Sequence, residues 1–279
     1  MANLTIVDGH SYLYGAFYGV PDKAATRGSK TRVDAVYGFF ALLRVIVEEF
    51  PKNKLFIVFD SKKWFQKELD NKTADEDLKD TKSLIEQQAI IQKILDKIGI
   101  RWIQHSTLKA DNIIASIATY WAENNGKVQI SSADFDFVQL ISKNISLARN
   151  LHGLITMHDR SFIQQKFGIE PEQYIDFQAL IGDENDSIVG IRGIGTKRAA
   201  AMLNDYKNIA GIYKNLDKLP KNISEQLALH KTLVLRNQKN IPMTRDLPIS
   251  QFIKGDLPDV NTNLVMQNVN ILLSEIGIR

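Results

Sequence analysis

Short β-branched apolar runs alternate along this chain with longer stretches of helical periodicity. Residues 4–7 (LTIV), 55–59 (LFIVF), 100–104 (IRWIQ) and 128–131 (VQIS) read as buried strands, being short, apolar and closed by polar or turn residues. Residues 145–148 and 154–157 read as two further short strands. Between them lie helical patterns: 33–50, ending before Pro51, then 83–98, and a helix opened by Lys109-Ala110-Asp111-Asn112. Residues 162–167 and 171–180 predict two brief helices, and beyond Ala199 the chain reads as helices with polar links. Residues 23–30 read as a loop. Residues 61–82 are highly charged and fit either an arched insertion or a solvated helix face. Strand–helix alternation to about residue 160 predicts an α/β fold with a twisted, mainly parallel sheet flanked by helices.

That architecture gives meaning to the aspartates. Asp8 and Asp60 each follow a strand, where open parallel sheets place their functional groups. Asp134 and Asp136 follow the run 128–131, and Asp111 opens a helix. Asp183 and Asp186 sit three apart just before a glycine-rich segment. The expectation is one acidic cleft holding all seven. Crowded carboxylates repel, and hard ions such as Mg²⁺ or Mn²⁺, one or two of them, are the natural counter-charge. Two such ions are a known device for phosphodiester hydrolysis. His10 reads as a hydrogen-bonded loop histidine rather than a ligand.

The segment GIRGIGTKRA, residues 190–199, has a different character. Gly190, Gly193 and Gly195 let backbone approach a ligand, and Arg192, Lys197 and Arg198 add positive charge at a helix start, a natural phosphate seat. Charge distribution agrees. The net charge is only +3 over 279 residues, but residues 188–240 carry ten Lys/Arg against three acids. Such a local excess suits a polyanion. The absence of cysteine excludes disulfides, zinc-thiolate sites and thiol nucleophiles. No apolar run approaches the roughly 20 residues of a membrane span, and the N-terminus lacks a secretory signal pattern.

Together these blocks resemble the 5′-3′ exonuclease and flap endonuclease family, most closely the N-terminal nuclease domain of bacterial DNA polymerase I. VDGHSYLY, AVYGFFALL and IVFD are similar to its first three blocks, and SADFDFVQL to its T-(A/G)-D-K-D-x-x-Q-L block. GDENDSIVGIRGIGTKRA resembles G-D-x-S-D-N-I-P-G-V-x-G-I-G-x-K-T-A, a long and specific motif. The resemblance implies a PIN-like or resolvase-like core over residues 1–180, with an arch about 61–97. A helical region over 181–279 would then carry a helix–three-turn–helix. It further implies Mg²⁺ or Mn²⁺ on the seven aspartates, and K⁺ at the helix–three-turn–helix. Gly190, Arg192, Gly193, Gly195, Lys197 and Arg198 would bind duplex phosphates. The implied partner is DNA with a 5′ flap or 5′ end, met by a monomer in a bacterial-type cytoplasm, nucleoid-associated, in replication and repair. No polymerase domain follows, which reads as a stand-alone nuclease domain or a fragment.

The departures are specific. The family's E-A-D-D block reads Lys109-Ala110-Asp111-Asn112, so one carboxylate position is a cation and another a neutral amide. The arch block F-R-x-x-x-x-x-x-Y-K-x-x-R has lost its basic and stacking residues; ungapped, it reads Phe65-Gln66, Thr73-Ala74 and Asp77. Two functions follow: a working metal-dependent 5′ nuclease, or a DNA-binding relative with impaired catalysis.

Overall fold

The apolar runs fold as strands because burial on both faces of a sheet rewards unbroken Leu, Ile, Val and Phe. The computed structural model describes residues 1–19, 32–61, 63, 66, 75–151, 154–183 and 188–278. The loop expected at 23–30 lies outside the described residues, as do Trp64, Phe65, Thr73 and Ala74 of the expected arch. β1 (Leu4–Asp8) leads into α1 (Gly9–Gly19) and α2 (Asp34–Glu49), followed by β2 (Lys54–Phe59) and α3 (Asp75–Lys97). β3 (Arg101–Gln104), α4 (Ala110–Glu123), β4 (Val128–Ser131), β5 (Ile145–Leu151) and β6 (Leu154–His158) come next. The sheet order is β3-β2-β1-β4-β5-β6. β1 is central, parallel to β2 with Asp8 opposite Val58 and parallel to β4 with Val7 opposite Ser131. β2 and β3 are also parallel.

Two elements differ from the sequence expectation. The aromatic stretch after Gly9 is the helix α1, whose Tyr12, Leu13, Ala16 and Phe17 are buried. α3 begins at Asp75 rather than 83. Leu84, Ile90, Ile91, Ile94 and Leu95 are buried, so apolar periodicity marked this packed part of the helix.

The chain packs as two compact units, residues 1–137 with 147–157 and 244–279, and residues 138–146 with 158–243. Residues 158–180 group with the second unit, and residues 244–279 with the first. Arg44 Nε donates to Val265 O at 3.0 Å, and Lys54 Nζ meets Asp259 at 2.6 Å. In the same unit Asp34, fully buried at the start of α2, is gripped by Arg32 at 2.8–3.0 Å and by Gln87 Nε2 at 2.9 Å. A buried carboxylate needs such pairing.

The second unit is helical: α5 (Arg160–Phe167), α6 (Tyr174–Ile181), the two-stranded hairpin β7 (Gly182–Asp183) and β8 (Ile188–Val189), α7 (Thr196–Tyr206), α8 (Ile209–Lys214), α9 (Lys221–Leu229) and α10 (Lys231–Asn240). Asp176 on α6 accepts from Ile209 N at 2.8 Å and from Gln238 Nε2 at 2.7 Å, tying α8 and α10 to it. Two short helices, α11 (Thr262–Val265) and α12 (Val269–Glu275), close the chain on the first unit.

Candidate functional site

Asp8 is the last residue of β1, and Asp60 follows the last residue of β2, so two adjacent parallel strands deliver carboxylates to one edge. Both are buried, 5% and 8% exposed. Asp8 Oδ1 accepts from the backbone N–H groups of His10 (3.1 Å) and Ser11 (3.0 Å), which fixes the start of α1. Its other oxygen accepts from Ser132 Oγ at 2.6 Å. Asp60 Oδ1 accepts from Ala110 N at 3.1 Å, at the N-terminus of α4. Asp111 lies in the first turn of that helix.

These three carboxylates act on one another. Burial pushes the Asp8 carboxyl up to about 7, with added repulsion from Asp111 and Asp60, against the lowering effect of the Ser132 and Ser11 hydrogen bonds. Burial likewise raises Asp60, with Asp111 adding to the rise. His10, in α1 rather than a loop, has its Nδ1 3.9 Å from Asp60 Oδ2. Burial lowers its pKa to about 4, so at neutral pH this is a contact with a neutral imidazole and not an ion pair.

Lys109 and Asn112 have separate roles. Lys109 Nζ stands 3.0 Å from Asp111 Oδ2. Asn112 Oδ1 accepts from Thr244 N at 2.8 Å, anchoring the returning C-terminal segment beside Ser116, whose Oγ donates to Thr244 O at 3.3 Å.

Ser132 is a site residue that sequence reasoning missed. It donates to Asp8 and accepts from Asp134 N at 3.0 Å, so one buried hydroxyl ties the end of β1 to the loop after β4. The signal available was a serine between a strand and an acidic loop. Asp134 Oδ1 accepts from Asp136 N at 2.9 Å, and Asp136 starts a 3-10 turn (Asp136–Leu140). Asp134 is exposed and Asp136 half-buried.

In the second unit Asp183 lies in β7 and accepts from Gln178 Nε2 at 3.1 Å. Asp186 lies outside the described residues. The structure therefore brings Asp8, Asp60 and Asp111 into electrostatic reach and links Asp134 to Asp8 through Ser132. Among the described residues no three His, Asp or Glu side chains close on a single ion.

The glycine segment is built on backbone. Ile191 N donates to Leu180 O at 2.9 Å, closing the chain between α6 and α7. Gly190 packs so tightly there that a Cβ would lie 2.0 Å from Ile181 O. Gly193 has φ +86°, a conformation that L side chains resist. Gly195 caps α7, and Arg192, Gly193, Gly195, Lys197 and Arg198 are all exposed. Arg198 Nη1 donates to Gly193 O, bracing the turn it follows. Asn237, 5% exposed on α10, spends both Nδ2 protons on Ala179 O (3.2 Å) and Val189 O (2.9 Å). Its position in an ordinary polar helix gave no sequence signal.

Residues 3–168 match the family model of the N-terminal resolvase-like domain of 5′-3′ exonucleases, and residues 169–261 match that of the C-terminal SAM fold. A 5′-3′ exonuclease of Buchnera aphidicola is 33% identical over 263 residues, covering 89% of each chain. The thermostable DNA polymerase I of Thermus thermophilus is 30% identical over 257 residues, covering 91% of this chain and 30% of the polymerase. The T5 5′-exonuclease, solved with divalent zinc ions bound, superposes with a TM-score of 0.66 at 18% identity over 99% of both chains, a likeness of fold. Among the described residues no helix is long and apolar enough to cross a membrane.

Proposed function

Because the chain belongs to the 5′-3′ exonuclease family, we propose that it is a divalent-metal-dependent 5′ nuclease that hydrolyses DNA phosphodiesters at 5′ ends or flaps in replication and repair. The observation that carries this reading is the group of buried Asp8 and Asp60 with half-buried Asp111, whose charges repel, at the carboxyl edge of the sheet. Keeping Asp8 ionised at neutral pH is costly without a cation. The donors are all carboxylate oxygens, which suits Mg²⁺ or Mn²⁺. Mg²⁺ in phosphate chemistry is usually held by only one or two protein carboxylates, its shell completed by water and substrate phosphate. The donor set therefore fits without a closed cage. One or two of Asp8, Asp60 and Asp111 would hold such an ion directly and the others through water; Asp134, Asp136, Asp183 and Asp186 are ligands proposed from their motifs.

When bound, the ion supplies an acidified water and a Lewis acid for the phosphoryl oxygens. The chain's residues do the rest. Ser132 and the α1 backbone hold Asp8 in one rotamer, and the α4 N-terminus fixes Asp60. Gly193, Gly195, Lys197 and Arg198 present amides and charge to duplex phosphate at the start of α7, with Arg192 beside them and Gly190 closing the turn; K⁺ at this turn belongs to the same proposal. DNA is the partner this reading proposes, met by the chain as a monomer.

The Lys109–Asp111 contact favours a second reading, a DNA-binding relative with impaired catalysis. Labelled 5′-flap duplex in Mg²⁺, in Mn²⁺ and in EDTA separates the two. Metal-dependent cleavage that falls at least 100-fold in Asp8→Asn is expected for the nuclease. Salt-sensitive binding without cleavage in either metal would overturn it.

A further inference from the structure

The residue that departs most from the family's acidic block also makes the closest charged contact within the carboxylate group. Lys109 precedes the first residue of α4 with extended backbone (φ −66°, ψ 142°), and its ammonium stands 3.0 Å from Asp111 Oδ2. Its charge reaches a second member of the group, favouring the ionised form of Asp60. An exposed Lys–Asp pair in isolation contributes little. Here the anion belongs to three carboxylates that repel one another, so the lysine changes the charge of the whole group. Asn112 supplies no replacement carboxylate, since its Oδ1 is committed to Thr244 N. The N-terminus of α4 thus carries a cation in contact with Asp111 and a structural anchor at Asn112.

We propose that the Lys109 ammonium is a built-in cation of the Asp8–Asp60–Asp111 group, standing in place of one divalent ion, so that the chain binds one ion fewer than a carboxylate at position 109 would allow. The inference rests on the metal-dependent reading above and specifies its stoichiometry. The lysine is a positioning residue: it holds Asp111 and neutralises part of the field, without touching the scissile phosphate.

The test counts Mn²⁺ bound per chain by the electron paramagnetic resonance of the free ion, for wild type and Lys109→Glu. Alongside it, Tm is measured in EDTA for wild type and Lys109→Met. Lys109→Glu is expected to bind one more Mn²⁺ than wild type. Lys109→Met without metal is expected to melt lower than wild type at pH 8, by about 1–2 °C. An equal, nonzero Mn²⁺ count in both chains overturns this inference alone. No Mn²⁺ on either chain overturns the metal-dependent reading as well. A metal-free Tm at pH 8 that ignores Lys109→Met overturns the internal cation whatever the count.

Discussion

The carboxylate edge of the first unit and the glycine turn of the second solve opposite problems. The edge collects charge that the fold alone does not neutralise: Asp8 is buried, acted on by two other carboxylates, and has its pKa pushed up to about 7. The turn is made of backbone: Gly190 sits against Ile181 O, and Asn237 holds the surrounding carbonyls. One region is sensitive to the charge of a side chain at constant shape. The other is sensitive to a single methyl group at constant charge.

The largest expected effect follows from that contrast. Asp8→Asn keeps the shape and the acceptor for His10 N and Ser11 N while removing the charge, and the Ser132 hydroxyl must turn to accept from the new amide NH2. A carboxyl whose folded pKa is raised contributes stability that is fully present below its unfolded value near 3.8 and is lost as pH rises through about 7. In EDTA at pH 8, Asp8→Asn should therefore be more stable than wild type by on the order of 4 kcal/mol, with the gain vanishing near pH 4. His10 has the opposite sign. Its lowered pKa contributes stability present above about 6.5 and lost as pH falls toward 4. In wild type the two slopes oppose each other between pH 4 and 6.5. Removing Asp8 should leave a curve that climbs with pH across that window. Urea melts at half-unit pH steps check this, and a pH-independent difference would show that Asp8 ionises freely.

Gly190→Ala is the matching test of the second region. The new Cβ would meet Ile181 O at 2.0 Å and Ile181 C at 2.2 Å, so backbone must yield rather than a side chain. A loss of roughly 3 kcal/mol or more is expected, at the severe end for overpacking, with duplex binding lost as the turn opens. Equilibrium denaturation with a gel-shift assay reads both. Wild-type stability in this variant would mean that the turn is looser than its packing.

The two regions were unequally legible in the sequence. Alternating apolar runs placed Asp8 and Asp60 at strand ends because a parallel sheet leaves little choice about where its carboxyl edge lies. The glycine segment was legible because its geometry is local: glycines close a turn, and a helix follows at Thr196. What escaped was long-range. Ser132 reaches Asp8 across 124 positions, and Asn112 is committed to Thr244 across 132. The start of α3 escaped because residues 75–82 are mostly charged in sequence. The contact of Lys109 with Asp111 depends on the extended backbone at the helix start, which a changed charge in the sequence does not specify.

Gly195→Ala is the smallest perturbation and the sharpest one for the comparison. A Cβ at this helix cap meets nothing within 4 Å, unlike that at Gly190. The cost to the fold is only that of a poorer N-cap, about 0.5–1 kcal/mol. If the exposed backbone at Gly195 lies against phosphate, the methyl group must separate the two, and duplex affinity should fall about tenfold with no charge removed. The salt dependence of binding should therefore keep its slope, because the number of neutralised phosphates is the same. Lys197→Ala should do the reverse: it leaves the turn intact, weakens binding across all sequences and lowers the salt slope by about 1. Measuring affinity for a duplex at several KCl concentrations for both variants separates shape from charge within three residues of chain. If Gly195→Ala changed the slope, or left affinity untouched, the phosphate-facing role would pass from the backbone of the turn to Arg192 and Lys197.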